Sequence, residues 1–206
     1  MKHLDYSLKN IKVSKAYSNK LPREVLESKL KNEMKKIVPY NPQNLSIPIN
    51  TKLVREIKKQ SEVITAAPWV SVNLFYTSGK AQLSGNSSGA NILEADAMFK
   101  IQSTMLVGNA SELQNISNGI LIGVGIAEKL NLRVNDNVTV ISSLGASKIM
   151  KVVGIFKTSN SLVDKTKSYM NLSSAQQLLR EGPDFVTDIY VNIKHPQQVE
   201  NFRPLL

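Results

Sequence analysis

Cysteine is absent from the 206 residues, which removes disulfides, thiolate catalysis and cysteine-based zinc sites from consideration. It leaves the compartment open, because disulfide-free proteins occur on both sides of a bacterial membrane. Histidine is almost absent: His3 and His195 stand at opposite ends of the chain, so a histidine metal centre or a catalytic triad would have to be built from these two alone. No stretch approaches the roughly 18 consecutive apolar residues of a membrane-spanning helix. The opening "MKHLDYSLKNIKVSK" lacks the apolar core of a signal peptide. These absences predict a soluble cytoplasmic protein or a soluble piece of something longer, and the ending "NFRPLL" favours the piece.

What is present is ordinary for a globular chain. Hydrophobic residues make up 42% and charged residues 20%, enough to build a core in one large domain or two small ones. The net charge of +10 is unevenly spread. Residues 1–60 hold 14 Lys/Arg against 5 Asp/Glu, a net of +9, and the remaining residues hold 12 against 11, a net of +1. Two amphipathic helices are expected in the basic segment. "PREVLESKLKNEMKKIV" sets Val25, Leu26, Leu30, Met34 and Ile37 at helical spacing behind Pro22. "NTKLVREIKKQ" follows, with Asn50 or Thr51 as cap and Leu53, Val54 and Ile57 on one face. Solvated lysine faces explain this charge most simply. A membrane-surface role for residues 1–60 and nucleic-acid binding remain as alternatives. The segment's aromatics, Tyr6, Tyr17 and Tyr40, do not interleave with basic residues as a base-stacking platform would.

Beyond residue 60 the pattern turns to strands. In "EVITAAPWVSVNLFYTSGKAQLSG" Val70, Val72, Leu74 and Tyr76 alternate with Ser71, Asn73, Phe75 and Thr77, and Ser78-Gly79 turns the chain back. "GNSSG" is expected as a loop and hinge. "ANILEADAMFKIQSTMLVG" passes from a short strand into a helix, and "NASELQNISNG" is a polar connection. Then come a buried strand "GILIG", a short helix "VGIAEKLNL", strands "NVTVIS" and "SKIMKVVGIFKT", and a strand and helix in "SYMNLSSAQQLL" with Ser173 or Ser174 as cap. "VTDIYVNIK" reads as a strand and "HPQQVENFRPLL" as a final helix. There is no internal repeat. The sum is an α+β chain with several two-stranded and three-stranded pieces.

The glycines of "GILIGVGIAEKL" sit where a strand turns into a helix, the usual place of a phosphate cradle. A dinucleotide fingerprint needs a third glycine for close helix packing, and Glu128 stands in its place. No Gly-Lys-Ser/Thr is present for a P-loop. The architectural reading explains more. Ala127, Leu130 and Leu132 form an apolar face, and Asn135-Asp136 makes a tight turn before the next strand.

Those phrases resemble the extracytoplasmic domain of bacterial ABC-transporter permeases of the lipoprotein-releasing and MacB-like type. Gly123, Ala127, Leu130, Leu132 and Asp136 match the family's helix–turn–strand phrase. Val152, Gly154 and Phe156 match its next strand, and Asp164, Asn171, Leu172, Ala175 and Leu178 match its following loop, strand and helix. Pro68 in "EVITAAPWVSV" matches the segment before its first central strand. The likeness runs from about Glu62 to Ile193. Asn135 replaces a usual glycine, Glu94 departs from a usual glycine before an aspartate, and "SLGASK" is too short for the hook that docks a periplasmic lipoprotein carrier.

The resemblance implies a two-subdomain MacB-like periplasmic core. Residues 1–85 and 176–206 would form an α/β subdomain and residues 86–175 an inserted, strand-rich one. It also implies a partner permease subunit, cytoplasmic ATP-binding subunits, a periplasmic protein or lipoprotein cargo, and a place on the outer face of the inner membrane. The function would be to couple ATP-driven motion to lipoprotein release or efflux. No cofactor, metal or catalytic residue is implied. Asp164 reads as a turn residue in a polar loop, Asp184 and Asp188 have no third carboxylate at ligand spacing, and Trp69 and Phe75 read as core or interface. A cytoplasmic nucleic-acid-binding protein using residues 1–60 is the reading from a different class.

Overall fold

The computed structural model describes residues 11–13, 50–59, 61 and 63–194. The helices expected over residues 22–38 and 195–206 lie outside these. The chain divides into two compact units, one of Met1–Pro68 with Val186–Leu206 and one of Trp69–Phe185.

In the first unit β1 (Ile11–Val13) pairs in parallel with β9 (Asp188–Ile193), setting Ile11 against Ile189 and Val13 against Val191. β9 also neighbours β2, whose residues 63–68 belong here. Helix α1 (Thr51–Lys58) forms as its sequence demands. Asn50 Oδ1 accepts from Leu53 N at 3.1 Å, which satisfies one of the free amides of the first turn. Leu53, Val54 and Ile57 are its buried stripe.

The second unit is built on a ring of strands. β2 (Val63–Ser78) and β3 (Ala81–Ala90) form an antiparallel hairpin from Trp69–Ala90 to Ser78–Ala81. β3 lies parallel to β8 (Lys167–Asn171), and β8 antiparallel to β5 (Gly119–Gly123). β5 runs parallel to β7 (Ser147–Phe156), β7 antiparallel to β6 (Asn137–Ser142), and β6 returns antiparallel to β2. Six strands therefore close on themselves and leave no free edge among them. The separate two-stranded and three-stranded pieces expected from the sequence are one barrel. Alternation shows strands, but only register shows that the first meets the last.

The interior follows the period of two. Val70, Val72, Leu74 and Tyr76 of β2 meet Ile120 and Ile122 of β5, Val138 and Val140 of β6, and Met150 and Val152 of β7. Helices α4 (Val124–Leu130) and α6 (Leu172–Leu178) add Ile126, Leu130, Ala175 and Leu178 to the same core. On the other side of the wall, helix α2 (Ile92–Phe99) buries Ile92, Ala95 and Met98. Its Phe99 meets Trp69 edge-on at 5.5 Å, and Tyr169 meets Phe156 at 5.4 Å. β4 (Met105–Gly108) pairs with β7, and a short helix α3 (Glu112–Asn115) lies within the polar connection.

The expected loop "GNSSG" is instead the second half of β3, with Ser87 and Ser88 fully buried. Its glycines serve close approach. A Cβ on Gly85 would run into Thr166 O and come within 2.7 Å of Tyr76 Cε2, and one on Gly89 would collide with Ala175 Cβ. Asn86 and Ala175 both lie inside the second unit.

Three buried hydroxyls of the barrel, those of Tyr76, Ser168 and Ser87, form a chain. Ser168 Oγ donates to Ser87 Oγ at 2.7 Å and lies 2.8 Å from Tyr76 OH. Burial pushes the Tyr76 phenol far above its ordinary value near 10, and the Ser168 hydrogen bond opposes that only in part. A folded-state pKa raised above the unfolded one gives stability that is complete below about pH 10 and declines above it, as the unfolded chain ionises first. Urea melts of the wild type and Tyr76→Phe between pH 8 and 11 should show it. The wild type is expected to lose about 1.4 kcal/mol relative to the variant by one pH unit above 10. Parallel curves would mean that the phenol reaches water.

Candidate functional site

The glycine turn is closed by a helix. β5 ends at Gly123, the N-cap of α4, which makes no side-chain capping bond. Against it lies α5 (Ser161–Thr166), started by Asn160, whose Oδ1 accepts from Leu162 N at 3.0 Å and Val163 N at 3.4 Å. A Cβ on Gly123 would meet Asp164 O, and would stand 2.8 Å from Asp164 C and 2.9 Å from its Cα. One on Gly125 would stand 2.7 Å from Lys165 Cγ and 3.0 Å from its Cα. The space a phosphate would need over this turn is filled by α5 backbone.

Asp164 is thus not a turn residue in a polar loop. It is 5% exposed, inside α5, and its Oδ1 accepts from Thr158 N at 2.8 Å and Thr158 Oγ1 at 2.9 Å. The Asn160 cap converts "SNSLVDKTKS" into a helical turn that carries the carboxylate inward.

The other motif residues gather along the wall. Asn131 ends α4 in the left-handed region at φ 50°, and Leu132 N returns to Ala127 O at 2.8 Å. Asn135 takes φ 79°, the conformation that glycine would hold. Its N–H donates to Val152 O at 2.8 Å, Val152 N donates to Asp136 O at 2.9 Å, and Asp136 Oδ2 accepts from Arg133 N at 2.7 Å. Ala127, Leu132, Asp136 and Val152 form one seam. At Gly154 a Cβ would meet Met105 Cε and stand 3.0 Å from Leu121 Cδ2, while Phe156 is buried. Pro68 is half-buried within β2.

At the start of α6 the expected cap is displaced. Asn171, not Ser173 or Ser174, is the N-cap. It makes no capping bond, and its Nδ2 donates to Ile116 O at 3.1 Å. Ser174 Oγ donates to Ser117 O at 3.0 Å and accepts from Lys148 Nζ at 3.0 Å, with Gln177 Oε1 as the amine's second acceptor at 2.8 Å. Burial lowers the Lys148 pKa. A serine beside a lysine suggests nucleophilic chemistry, which requires the hydroxyl to give its proton to a neutral amine. Here the fully buried Ser174 commits that proton to a backbone carbonyl, so the trio fastens β7 to α6. Sequence reading missed it, because the partners lie far apart in the chain and none has a local signature.

Among the described residues, no group of three His, Asp or Glu is placed to hold a metal ion. No helix there is long and apolar enough to cross a membrane. A groove of about 380 Å³ opens on the outer barrel wall beside Phe75, Gly85, Asn86, Ser143 and Thr166. The motif residues from Gly123 to Leu178 are engaged in packing or in backbone contacts.

The model of one protein family, described as the MacB-like periplasmic core domain, matches residues 23–205. No curated protein matches in sequence. Among solved structures, the extracellular domain of the noncanonic ABC-type transporter YknZ from Gram-positive bacteria is similar at a TM-score of 0.57 and 12% identity, over 80% of this chain and 84% of that one. The periplasmic region of MacB from Actinobacillus actinomycetemcomitans is similar at a TM-score of 0.51 and 14% identity, over 74% of this chain and 68% of that one. At such identities the likeness is one of fold.

Proposed function

The chain belongs to the family of MacB-like periplasmic core domains, and from that membership we propose that it works as the extracytoplasmic part of an ABC-transporter permease, without chemistry of its own. It stands on the outer face of the inner membrane and turns ATP-driven closure of cytoplasmic subunits into motion outside, for lipoprotein release or for efflux. The observation that carries this reading is the family match over residues 23–205, joined to a fold shared with two extracytoplasmic transporter domains. The β6–β7 connection, a tight turn through Gly145 at φ 75°, favours efflux or direct release over docking a soluble carrier. In the same reading the motif residues from Gly123 to Leu178 keep the barrel stiff enough to pass on a displacement. The nucleic-acid reading of residues 1–60 rests on charge alone.

The native reading frame on both sides of this segment tests the proposal. Apolar runs of about 20 residues on both flanks, with further spans beyond, are expected. Stop and start codons enclosing these 206 residues would end the transporter reading.

A further inference from the structure

We propose that the groove on the outer barrel wall beside Phe75 is a saccharide site, whose ligand is a neutral, N-acetylated sugar of one or two rings. The groove holds about 380 Å³, toward the small end of ligand sites, which run from roughly 300 to 1,000 Å³. Its lining includes no acid and no base. The hydrogen-bond polarity of that lining starts at a lysine on its margin. Register sets Asn73 beside Asn86 and Asn86 beside Lys167, across β2, β3 and β8. An ammonium can only donate, and Lys167 Nζ donates to Asn86 Oδ1 at 2.8 Å. The Asn86 amide therefore faces the other way with its nitrogen: Nδ2 donates to Asn73 Oδ1 at 3.2 Å and to Val72 O at 3.3 Å. The chain ends on Asn73 Nδ2, a donor with no partner among the described residues.

These features select the ligand. Thr166 Oγ1 commits its proton to Leu162 O at 2.7 Å, and Ser84 and Ser143 stand exposed, with hydroxyls that can donate or accept. An ion finds no counter-charge in the lining. A hydrocarbon would cover Phe75, 45% exposed, but would strip water from Asn73 Nδ2 and the two serines without replacing it. A peptide brings an N–H with each carbonyl, and each N–H needs an acceptor where the amide chain offers only a donor. A sugar hydroxyl instead rotates to donate or accept as its neighbour requires. The acetamide carbonyl supplies the acceptor for Asn73 Nδ2. The C–H face of a pyranose, slightly positive, lies against the negative face of the Phe75 ring.

Titration of the 206-residue chain with N,N′-diacetylchitobiose, followed by amide NMR shifts, tests this. Shifts are expected at Asn73, Phe75, Ser84 and Ser143, with a Kd near about 1 mM. Cellobiose, which lacks the acetamides, should bind about fivefold more weakly, the worth of one ordinary hydrogen bond. Asn73→Asp turns the donor into an acceptor and should weaken diacetylchitobiose by about tenfold or more, with circular dichroism unchanged; Asn73→Ala is the milder variant if it misfolds. Phe75→Leu keeps apolar bulk without the ring and should weaken it by roughly threefold. Lys167→Met leaves the lining in place but frees the Asn86 amide to turn over, so it should cut the preference for diacetylchitobiose and leave cellobiose binding unchanged. An absence of shifts at about 20 mM sugar overturns the proposal. So does equal binding of cellobiose, or an Asn73→Asp variant that binds as the wild type does. Tighter binding of N-acetylalanine methylamide would overturn it too, by making the groove a peptide site. The site rests on the barrel wall alone, so its failure leaves the permease-domain reading standing.

Discussion

Gly123→Val is expected to destabilise the protein by about 3 kcal/mol or more, and Gly123→Ala by about 2–3 kcal/mol, at the upper end of what overpacking costs. The reason is the identity of the neighbour. A Cβ there meets the carbonyl of Asp164 and lies within van der Waals distance of its C and Cα, and backbone cannot rotate aside as a side-chain end can. Nor can α5 back away cheaply, because Asp164 is tied to Thr158 by two hydrogen bonds under 3 Å. Gly182→Ala is the matched control: nothing lies within 4 Å of a Cβ at that position, so it should change stability by less than about 0.5 kcal/mol. Urea melts of the variants decide the matter. A Gly123→Ala loss as small as the control's would show that α5 lifts from the turn, and the phosphate cradle would have to be considered again.

The same junction shows what a sequence can and cannot display. The strand, glycines and helix of "GILIGVGIAEKL" are legible, because each is a local pattern of two-residue or helical period. That the turn is shut is not legible. It depends on Asp164, distant in the chain, entering through a short helix whose signal is a single asparagine, Asn160. The loop expected at "GNSSG" fails for a related reason. Small polar residues signal a turn when exposed, but here the glycines make room for Thr166 and Ala175, and Ser87 is paired with Ser168. Asn135 ran the other way. A left-handed asparagine is a local property, and φ 79° is where the sequence puts it.

Ring closure was the largest feature beyond sequence reading. No residue in β2 announces that it will pair with both β3 and β6. Yet the consequence of closure is written in burial. "NVTVIS" alternates buried positions with exposed or half-buried ones from Asn137 to Ser142, as a strand with one dry face must. "GILIG" is buried throughout, as a strand covered on both faces must be.

That contrast yields the second large effect. Ile122→Ala should cost about 2–5 kcal/mol, the usual range for truncating a fully buried aliphatic residue, where the remaining cavity adds to the lost transfer energy. Leu121 points to the opposite side of β5, and on a one-faced sheet its loss would be nearly free. It is fully buried instead, with its Cδ2 3.0 Å from where a Cβ on Gly154 would stand. Leu121→Ala should therefore cost as much as Ile122→Ala. β7 carries the internal comparison: Ile149 is exposed and Met150 buried, and Val152, Val153 and Gly154 are then buried in succession. Ile149→Ala, measured in dilute solution, should fall within about 0.5 kcal/mol of the wild type, while Met150→Ala falls in the 2–5 kcal/mol range. Denaturant midpoints at constant slope give all four values. If Leu121→Ala proves as mild as Ile149→Ala, packing on the outer face of β5 adds little, and the barrel's inner core alone carries its stability.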